Sequence, residues 1–239
     1  MMGQTQSTAV PKIMSKPLNL PKQQRTQKRM EKVVETTEKM LINMDLEKIS
    51  IPEVANESGV PRASIYQFFP TKYDLLRRIA LQHLHVLIAE LKTVGLQVVL
   101  DHPNQPITIY GPLITAEMIR TTAKFYNDSD VASMLILGGA VTQHSYLEYQ
   151  VELQKVSATM RQGLKMLNID EFIPAKPDTM TILIELIFTC MKHGYYTESY
   201  ISEEICQEAY RIAMSYLAAL KNNVFKLDQV KKIGLQVQD

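Results

Sequence analysis

Apolar side chains recur at steps of three and four residues in segment after segment of this 239-residue chain. Between residues 22 and 44 the positions with this spacing are Met30, Val33, Val34, Thr37, Met40, Leu41 and Met44. The spacing is typical of amphipathic helices, which bury one face. Nine glycines are too few for the many tight turns of a β-sandwich or β-barrel. We therefore predict an all-α fold.

Local signals divide the chain into helices and breaks. A long helix follows Thr71, with Leu75, Leu76, Ile79, His83, Leu84, Leu87, Ile88 and Leu91 on one broad apolar face. Breaks are predicted at 101–106, 138–139 and 168–177. The remaining predicted helices span about residues 112–126, 129–137, 142–167, 178–197 and 202–221. No internal repeat is recognisable.

Composition places the chain among soluble globular proteins. Hydrophobic residues make up 46% and charged residues 21%, which is enough apolar material for a substantial core. The two cysteines, Cys190 and Cys206, form no CxxC pair, so a reducing cytoplasm is expected. The longest apolar run, 179–191, is interrupted by Glu185 and is interpreted as a core helix. No run reaches the roughly 18 to 20 residues of a membrane span.

The net charge of the chain is only +1, but the charged residues are distributed unevenly along it. Residues 1–80 contain 13 basic and 8 acidic side chains, whereas the remainder contains 13 basic and 17 acidic side chains. The first 30 residues contain six basic side chains and no acidic one. Such polarity indicates either that the N-terminal part meets a polyanion or that the chain starts with a solvated tail.

Two short helices are predicted between the first helix and the long one. Ser50 and Glu53 form a capping-box pattern, in which the Ser50 hydroxyl accepts from the Glu53 amide and Glu53 reaches back. Gly59 is the expected C-terminal glycine of this helix. A second short helix lies between Pro61 and Pro70. Together these elements form a helix-turn-helix plan, which also occurs in purely structural domains.

The residues of this segment resemble the DNA-binding domain of the TetR family of bacterial transcriptional regulators. The family pattern falls on Ser50, Val54-Ala55, Gly59-Val60, Tyr66, Phe69 and Lys72. The resemblance covers roughly residues 25–80. Where the family often has glycine after the first helix, this chain has Asp45, and Asn43 or Asp45 is expected to take a left-handed turn. Pro61 stands where a hydroxyl residue often opens the recognition helix.

The resemblance implies which residues meet DNA. These are Ser50, Arg62, Ala63, Ser64, Tyr66, Gln67 and Lys72. Arg62 is suited to guanine and Gln67 to adenine, although either could touch phosphate alone. Tyr66 and Lys72 are expected to contact the DNA backbone and thereby position the protein on the DNA. The basic arm either follows the minor groove or binds non-specifically.

The larger helical part is expected to dimerise and to bind an effector. We predict four segments: a disordered basic arm (1–21), a helix-turn-helix DNA-binding domain (22–76), an effector-binding and dimerisation domain (77–221) and a tail (222–239). The resemblance implies a homodimer through helices 178–197 and 202–221, on a near-palindromic operator. A hydrophobic or amphipathic effector is expected in a pocket lined by Met118, Tyr126, Met134, His144 and Tyr146.

Two other functions remain open at this point. One is a DNA-binding regulator that is constitutive or responds to a partner protein rather than to a small molecule. The other, more remote, is an all-α enzyme, which would need clustered aspartates; the nearest approach is the segment 127–130. We predict no catalytic residues, cofactor or metal site, since His83 and His85 point apart on one helix. A cytoplasmic, nucleoid-associated repressor is the leading hypothesis.

Overall fold

The computed structural model describes residues 22–103, 105–139, 143–166 and 173–222 of the chain, and these contain helices and no strand. Nine α-helices follow one another: α1 (Lys22–Asn43), α2 (Ile51–Ser58), α3 (Arg62–Tyr66), α4 (Lys72–Asp101), α5 (Ile107–Asn127), α6 (Asp130–Ala132), α7 (Gln143–Met166), α8 (Thr179–Glu198) and α9 (Glu203–Lys221). A 3₁₀ turn at Leu46–Lys48 precedes α2, and α6 continues as a π-helical turn at Ser133–Leu137. The all-α prediction is confirmed.

Helices α1 to α3 and the start of α4 form an N-terminal head around one hydrophobic core. Its buried residues include Val33, Leu41, Ile49, Val54, Ile65, Phe69, Leu75 and Ile79. The α4 N-terminus has the full capping box, because Thr71 accepts from the Asp74 amide and Asp74 accepts from the Thr71 amide. Helix α2 ends at Gly59 in the left-handed conformation, with φ +66°. Gly59 sets the turn from α2 to α3, and the capping box sets the start of α4 after α3.

Three local expectations need correction. The Ser50 hydroxyl does accept from the Glu53 amide, but the Glu53 carboxylate accepts a hydrogen bond from the Ser50 hydroxyl at 2.8 Å rather than from the Ser50 amide. Asn43 and Asp45 do not adopt a left-handed conformation: Asp45 is extended, with φ −61°, and leads into the 3₁₀ turn. Helix α5 begins at Ile107, one turn before the predicted start at Pro112, because the helix accommodates this internal proline.

Helix α4 joins the head to a larger helical body. Its first apolar residues belong to the head core, whereas Ala80, Leu84 and Leu87 belong to the body core. The body core also contains side chains from α5, α6, α8 and α9. Val131 of α6 is 5% exposed and packs in the head core instead. The head and the body are therefore connected by a continuous helix and by Val131, with Met134 and Leu135 packed against the same core.

The same helix qualifies, by length and composition, as a membrane span. This corrects the expectation that no segment is long and apolar enough, which considered only uninterrupted apolar runs. A single helix of this kind is weak evidence, and α4 packs along α5 while contributing to both cores. It does not indicate a membrane protein. The predicted core segment 179–191 lies in α8, with Met180, Leu183 and Met191 buried.

Gly59→Ala is expected to lower the free energy of unfolding by about 1 to 2 kcal/mol, because an L-residue is strained at positive φ. A methyl group at Gly59 would meet nothing closer than Lys32 Nζ at 3.9 Å, so the cost is conformational rather than steric. Gly95→Ala is the matched control, since Gly95 lies inside α4, where the new methyl group would meet only the flexible methyl end of Met118 at 3.4 Å. That change should stabilise the helix by roughly 0.5 to 1 kcal/mol. Urea denaturation measures both, and equal signs would contradict the prediction.

Candidate nucleic-acid interface

The five-residue helix α3 presents one exposed face to solvent. Ile65 is the one side chain of α3 that is buried, and all five residues of this helix are described. Arg62, Ala63, Tyr66 and the following Gln67 are exposed, with Tyr66 at 47%. Arg62 and Tyr66 are four residues apart, as are Ala63 and Gln67, so each pair lies on one side of the helix. The two pairs are adjacent and together form a single surface. Ser64 is half-buried beside it.

The remaining predicted site residues flank this surface, and their polar groups already have partners. The Ser50 hydroxyl caps α2 through Glu53. Lys72 Nζ donates to the main-chain carbonyls of Leu46 at 3.3 Å and Glu47 at 3.4 Å. It thereby ties the 3₁₀ turn to the start of α4. Since an ammonium group has three donors, one remains for a phosphate.

A basic stripe on α1 was not predicted as part of the site. It consists of Arg25, Lys28, Arg29 and Lys32, all exposed and spaced at three- and four-residue steps. Lys32 Nζ lies 3.9 Å from the position that a Cβ on Gly59 would occupy, so the stripe reaches the turn between α2 and α3. The helical spacing of the four cations was the available signal. Their proximity to α3 depends on how α1 packs on α2.

Two exposed aromatic rings beside α3 were also missed. Tyr73 is 68% exposed and lies at the second position of α4, where its ring centroid is 5.6 Å from Lys72 Nζ. Phe68 is 41% exposed and lies two residues after the end of α3. The signal in the sequence was the position of these two aromatic residues, one between α3 and α4 and the other in the first turn of α4. They add apolar surface next to the basic groups.

One ion pair modulates the positive charge at this end of the molecule. Lys48 Nζ lies 2.7 Å from the carboxylate of Asp45 at the 3₁₀ turn. The hydrogen bond between the two side chains, followed by their opposite charges, raises the pKa of Lys48 and lowers that of Asp45. Both groups are exposed, so the pair is screened by salt. The Lys48–Asp45 pair therefore adds little net positive potential at this end of the molecule.

Of the five residues predicted for the effector pocket, the structure brings two together. Tyr126 and Met134 line a cavity of about 520 Å³ between the head and the body. Met118 lies elsewhere, with its methyl group facing Gly95 across the contact between α4 and α5. His144 and Tyr146 lie near the start of α7, where the side chains are outside the described part of the chain. The arm 1–21 and the tail from residue 223 are also outside it.

Two buried tyrosine hydroxyls lie in the body core. Tyr126 and Tyr149 flank Phe188, with ring centroids 5.7 and 6.2 Å from it. Neither hydroxyl has a hydrogen-bond partner among the described residues. Burial raises the pKa of both groups, and the neighbouring Tyr149 raises that of Tyr126 further. Both phenols are therefore neutral and retain unused hydrogen-bonding capacity.

A second concave surface of about 550 Å³ lies on another part of the head–body boundary. It is lined by Phe68, Phe69, Pro70, Asp74, Arg77, Arg78, Leu81, Val151 and Glu152. His85 of α4 lies 3.1 Å from Glu152 of α7 beside it. Across the residues that the structure describes, no three His, Cys, Asp or Glu side chains gather as a metal site would require.

The fold and the exposed face of α3 define a helix-turn-helix protein with a helical body. Residues 33–79 match the family of bacterial regulatory proteins designated the tetR family. The match covers most of the helix-turn-helix head, so this head is similar to the regulatory proteins of that family.

Two solved structures are similar to most of the chain. A TetR transcriptional regulator from Rhodococcus sp. RHA1 superposes with a TM-score of 0.52 and 15% identity, covering 82% of this chain and 98% of that one. The TetR family regulator PfmR from Thermus thermophilus gives a TM-score of 0.43 and 14% identity, over 81% and 99%. The Rhodococcus structure shows that the two-part helical fold is shared. No curated protein sequence matches the chain.

Proposed function

We propose that the protein is a repressor that a small-molecule effector releases from a near-palindromic operator. The observation that carries the proposal is the exposed face of α3, formed by Arg62, Ala63, Tyr66 and Gln67 around the buried anchor Ile65. A helix of this kind enters the major groove, where side chains read base edges. The work of such a regulator takes place in the bacterial cytoplasm, at the nucleoid.

Two side chains of this face have the chemistry for direct base recognition. Arg62 offers a planar fork of donors that matches O6 and N7 of guanine. Gln67 offers a donor and an acceptor that match N7 and N6 of adenine. The Ala63 methyl group fits against the thymine methyl group. Ser50, Ser64, Tyr66 and Lys72 are assigned to the sugar-phosphate backbone, with the basic stripe of α1 supporting them.

A homodimer would present two such faces to one side of DNA. We assign the dimer contact to α8 and α9, close to the predicted segments 178–197 and 202–221. Ile182 and Leu186 of α8 are half-buried and Ile212 of α9 is 38% exposed, so apolar surface remains for a partner. A two-fold axis between paired helices would separate the α3 helices by roughly 34 to 36 Å, one turn of DNA.

The inserted residue Val131 supports a route from effector to DNA. It belongs to body helix α6 yet packs in the head core, with Met134 and Leu135 packed against the same cluster. A ligand that shifts α6 would thus shift the head. An effector that binds one head orientation more tightly than another lowers operator affinity by that difference in binding free energy.

The alternative is a regulator of the same fold that needs no small molecule. A ligand cavity is generally about 300 Å³ or larger, and the junction cavity of about 520 Å³ exceeds this size. The cavity favours an effector-responsive protein over a constitutive one. No enzymatic activity forms part of the proposal.

Fluorescence anisotropy with DNA from the protein's own upstream region tests the proposal. We expect saturable binding at low salt to a fragment that contains an inverted repeat, with two chains per repeat. Scrambling one half-site should weaken binding strongly. Absence of binding at low salt to any such fragment would refute the DNA-reading function, and one chain per repeat would refute the dimer.

Lys72→Ala is expected to weaken binding to all DNA sequences by a similar factor and to reduce the salt dependence by about one phosphate contact. The reason is that Lys72 is assigned to the sugar-phosphate backbone, which is the same in every sequence. Lys165→Ala is the control, since Lys165 is exposed on α7 in the body. Anisotropy titrations from low to moderate salt measure the slope. A loss confined to the inverted repeat would instead place Lys72 among the base-reading residues.

A further inference from the structure

A largely apolar stripe runs along the solvent-facing side of α4. Its five side chains recur at alternating steps of three and four residues, and all are exposed: Val86, Ala89, Thr93, Leu96 and Leu100. Leu96 and Leu100 are each 62% exposed, and Val86 is 51% exposed. The Thr93 hydroxyl donates to the Ala89 carbonyl, so its polar group is already satisfied. Apolar side chains that stay in water along three turns of a helix mark an interaction surface.

The spacing of this α4 stripe is the heptad pattern of two paired helices. Val86, Thr93 and Leu100 fall on one seam position of the heptad, and Ala89 and Leu96 fall on the other. Two heptads are too short to hold isolated helices together. Here α4 is already folded, because Leu84 and Leu87 on its opposite side are buried in the body core. Pairing along the stripe would therefore carry no cost of forming the helix.

The two edges of the α4 stripe complement each other. Glu90 and Gln97 lie on one edge and His85 and Lys92 on the other, and all four are exposed. In a parallel helix pair each edge faces the opposite edge of the second copy, so Glu90 meets His85 and Gln97 meets Lys92. An antiparallel pair would instead bring the two copies of Lys92 together. His85 also lies 3.1 Å from Glu152 of its own chain. The charges therefore favour a second copy in the parallel orientation.

A parallel pair is also compatible with the position of the heads. Helix α4 begins in the head core and continues into the body core, so parallel α4 helices place both heads at the same end. The helices assigned to the dimer contact lie elsewhere, because α8 packs on α7 and α9 packs on α5. One chain can therefore use α8 and α9 for one partner and the α4 stripe for another.

We propose that the α4 stripe is a second self-association surface, on which two copies of this chain pair with parallel α4 helices and so join neighbouring dimers. The seam is only about 21 Å long, which is small beside the roughly 800 Å² per partner of a standard interface. Free dimers should therefore associate weakly. Two dimers on one DNA molecule have a high effective concentration, so the pairing should appear there as cooperative binding. Only this consequence for DNA binding rests on the proposed function.

Disulfide cross-linking of Leu96→Cys in the full chain tests the pairing without DNA. Parallel helices in register bring the two copies of position 96 together, so oxidation by diamide should link two chains. Ala158→Cys is the control, since Ala158 is exposed on α7, and the wild type gives the background from Cys190 and Cys206. Both should stay largely unlinked.

Three outcomes of the cross-linking would overturn the proposal. The first is linking of Leu96→Cys no stronger than that of the control. The second is linking that requires a mixture of Ala89→Cys and Leu96→Cys, because positions 89 and 96 face each other only in an antiparallel pair. The third is linking that appears only after residues 223–239 are deleted, because that tail would then be the occupant of the stripe.

Charge changes at Gln97 test the orientation independently. Gln97→Glu should strengthen self-association by about 2- to 10-fold, because the new carboxylate faces Lys92 of the second copy. Gln97→Lys should weaken it by a similar factor. Sedimentation equilibrium measures the dimer-to-tetramer step, with the same two changes at Gln154, exposed on α7, as controls. Circular dichroism checks the fold, since Gln97 also donates to Asp101 at 2.7 Å. Reversed signs, or no effect of either change, would overturn the parallel pairing.

DNA with two neighbouring inverted repeats separates this inference from the proposed function. On repeats a whole number of helical turns apart, the wild type should bind the second repeat about 5- to 150-fold more tightly than the first. Inserting half a turn, about 5 base pairs, should remove this gain. Leu96→Lys should lose the gain as well and still bind a single repeat as the wild type does.

The possible failures are distinguishable. Binding to single repeats without cooperativity and without cross-linking would overturn the α4 pairing and leave the DNA-reading function intact. Cross-linked pairs without DNA binding would do the reverse. Weaker binding of folded Leu96→Lys to a single repeat would make the stripe part of the dimer contact itself, and a second surface would then be the wrong assignment.

Discussion

Ile65→Ala is expected to lower the free energy of unfolding by about 2 to 5 kcal/mol and to abolish specific DNA binding. Ile65 is 1% exposed and is the buried anchor of a helix only five residues long. Removing most of its side chain leaves a cavity in the head core and frees α3 from the domain. Since an isolated helix of this length does not persist in water, the recognition surface should be lost with the anchor.

Ile109→Ala is the control for this change, because the same atoms are removed from a side chain that is 40% exposed. Its effect should stay within about 0.5 kcal/mol, as for most surface substitutions. Chemical denaturation gives the stabilities, and anisotropy at a temperature where both variants are folded gives the DNA affinities. Specific binding that survives in folded Ile65→Ala would show that α3 is held by other contacts.

Arg62→Ala is expected to weaken operator binding by about 1 to 3 kcal/mol, which is roughly 5- to 150-fold, and to relax discrimination at one guanine. Gln67→Ala should act in the same way at one adenine. The physical reason is that a bidentate pair is lost only with the matching base, whereas a phosphate contact is lost with every sequence. Neither change should alter stability, because both side chains are exposed.

Base specificity is measured by titrating both variants against operators substituted at each position of a half-site. Arg120→Ala is the control, since Arg120 is an exposed arginine of α5 that pairs with Glu117 and lies outside the assigned dimer helices. It should bind every operator as the wild type does. If Arg62→Ala weakened specific and non-specific DNA equally, Arg62 would be a phosphate contact and the guanine assignment would be wrong.

Local chemistry predicted the helices and most of their ends. Ser50 accepts a main-chain hydrogen bond at the start of α2, as predicted, and Thr71 and Ser202 do the same at the starts of α4 and α9. Gly59 ends α2 as expected. The predicted helix ends that were wrong lie at residues that are compatible with two different local conformations. A proline opens a helix more often than it lies inside one, yet Pro112 lies inside α5.

The site was predictable in part for the same reason. Helical spacing alone indicates that Arg62, Ala63, Tyr66 and Gln67 share a face opposite Ile65. It does not indicate that Lys72 bonds two carbonyls about 25 residues earlier in the chain, or that Lys32 reaches the turn at Gly59. Those contacts depend on how helices pack, which sequence spacing does not specify.

The sequence by itself determined an all-helical chain, a basic head with a recognition helix, and the family to which that head is similar. These follow from interactions within a few residues: apolar periodicity, caps and a left-handed glycine. Only the tertiary structure decided that Val131 packs in the head core and that a tyrosine-lined cavity opens between α1, α6 and α8. The packing of Val131 and the walls of the cavity both bring together residues that are about 60 to 160 positions apart in the sequence. Such contacts arise when apolar faces of separate helices are buried together.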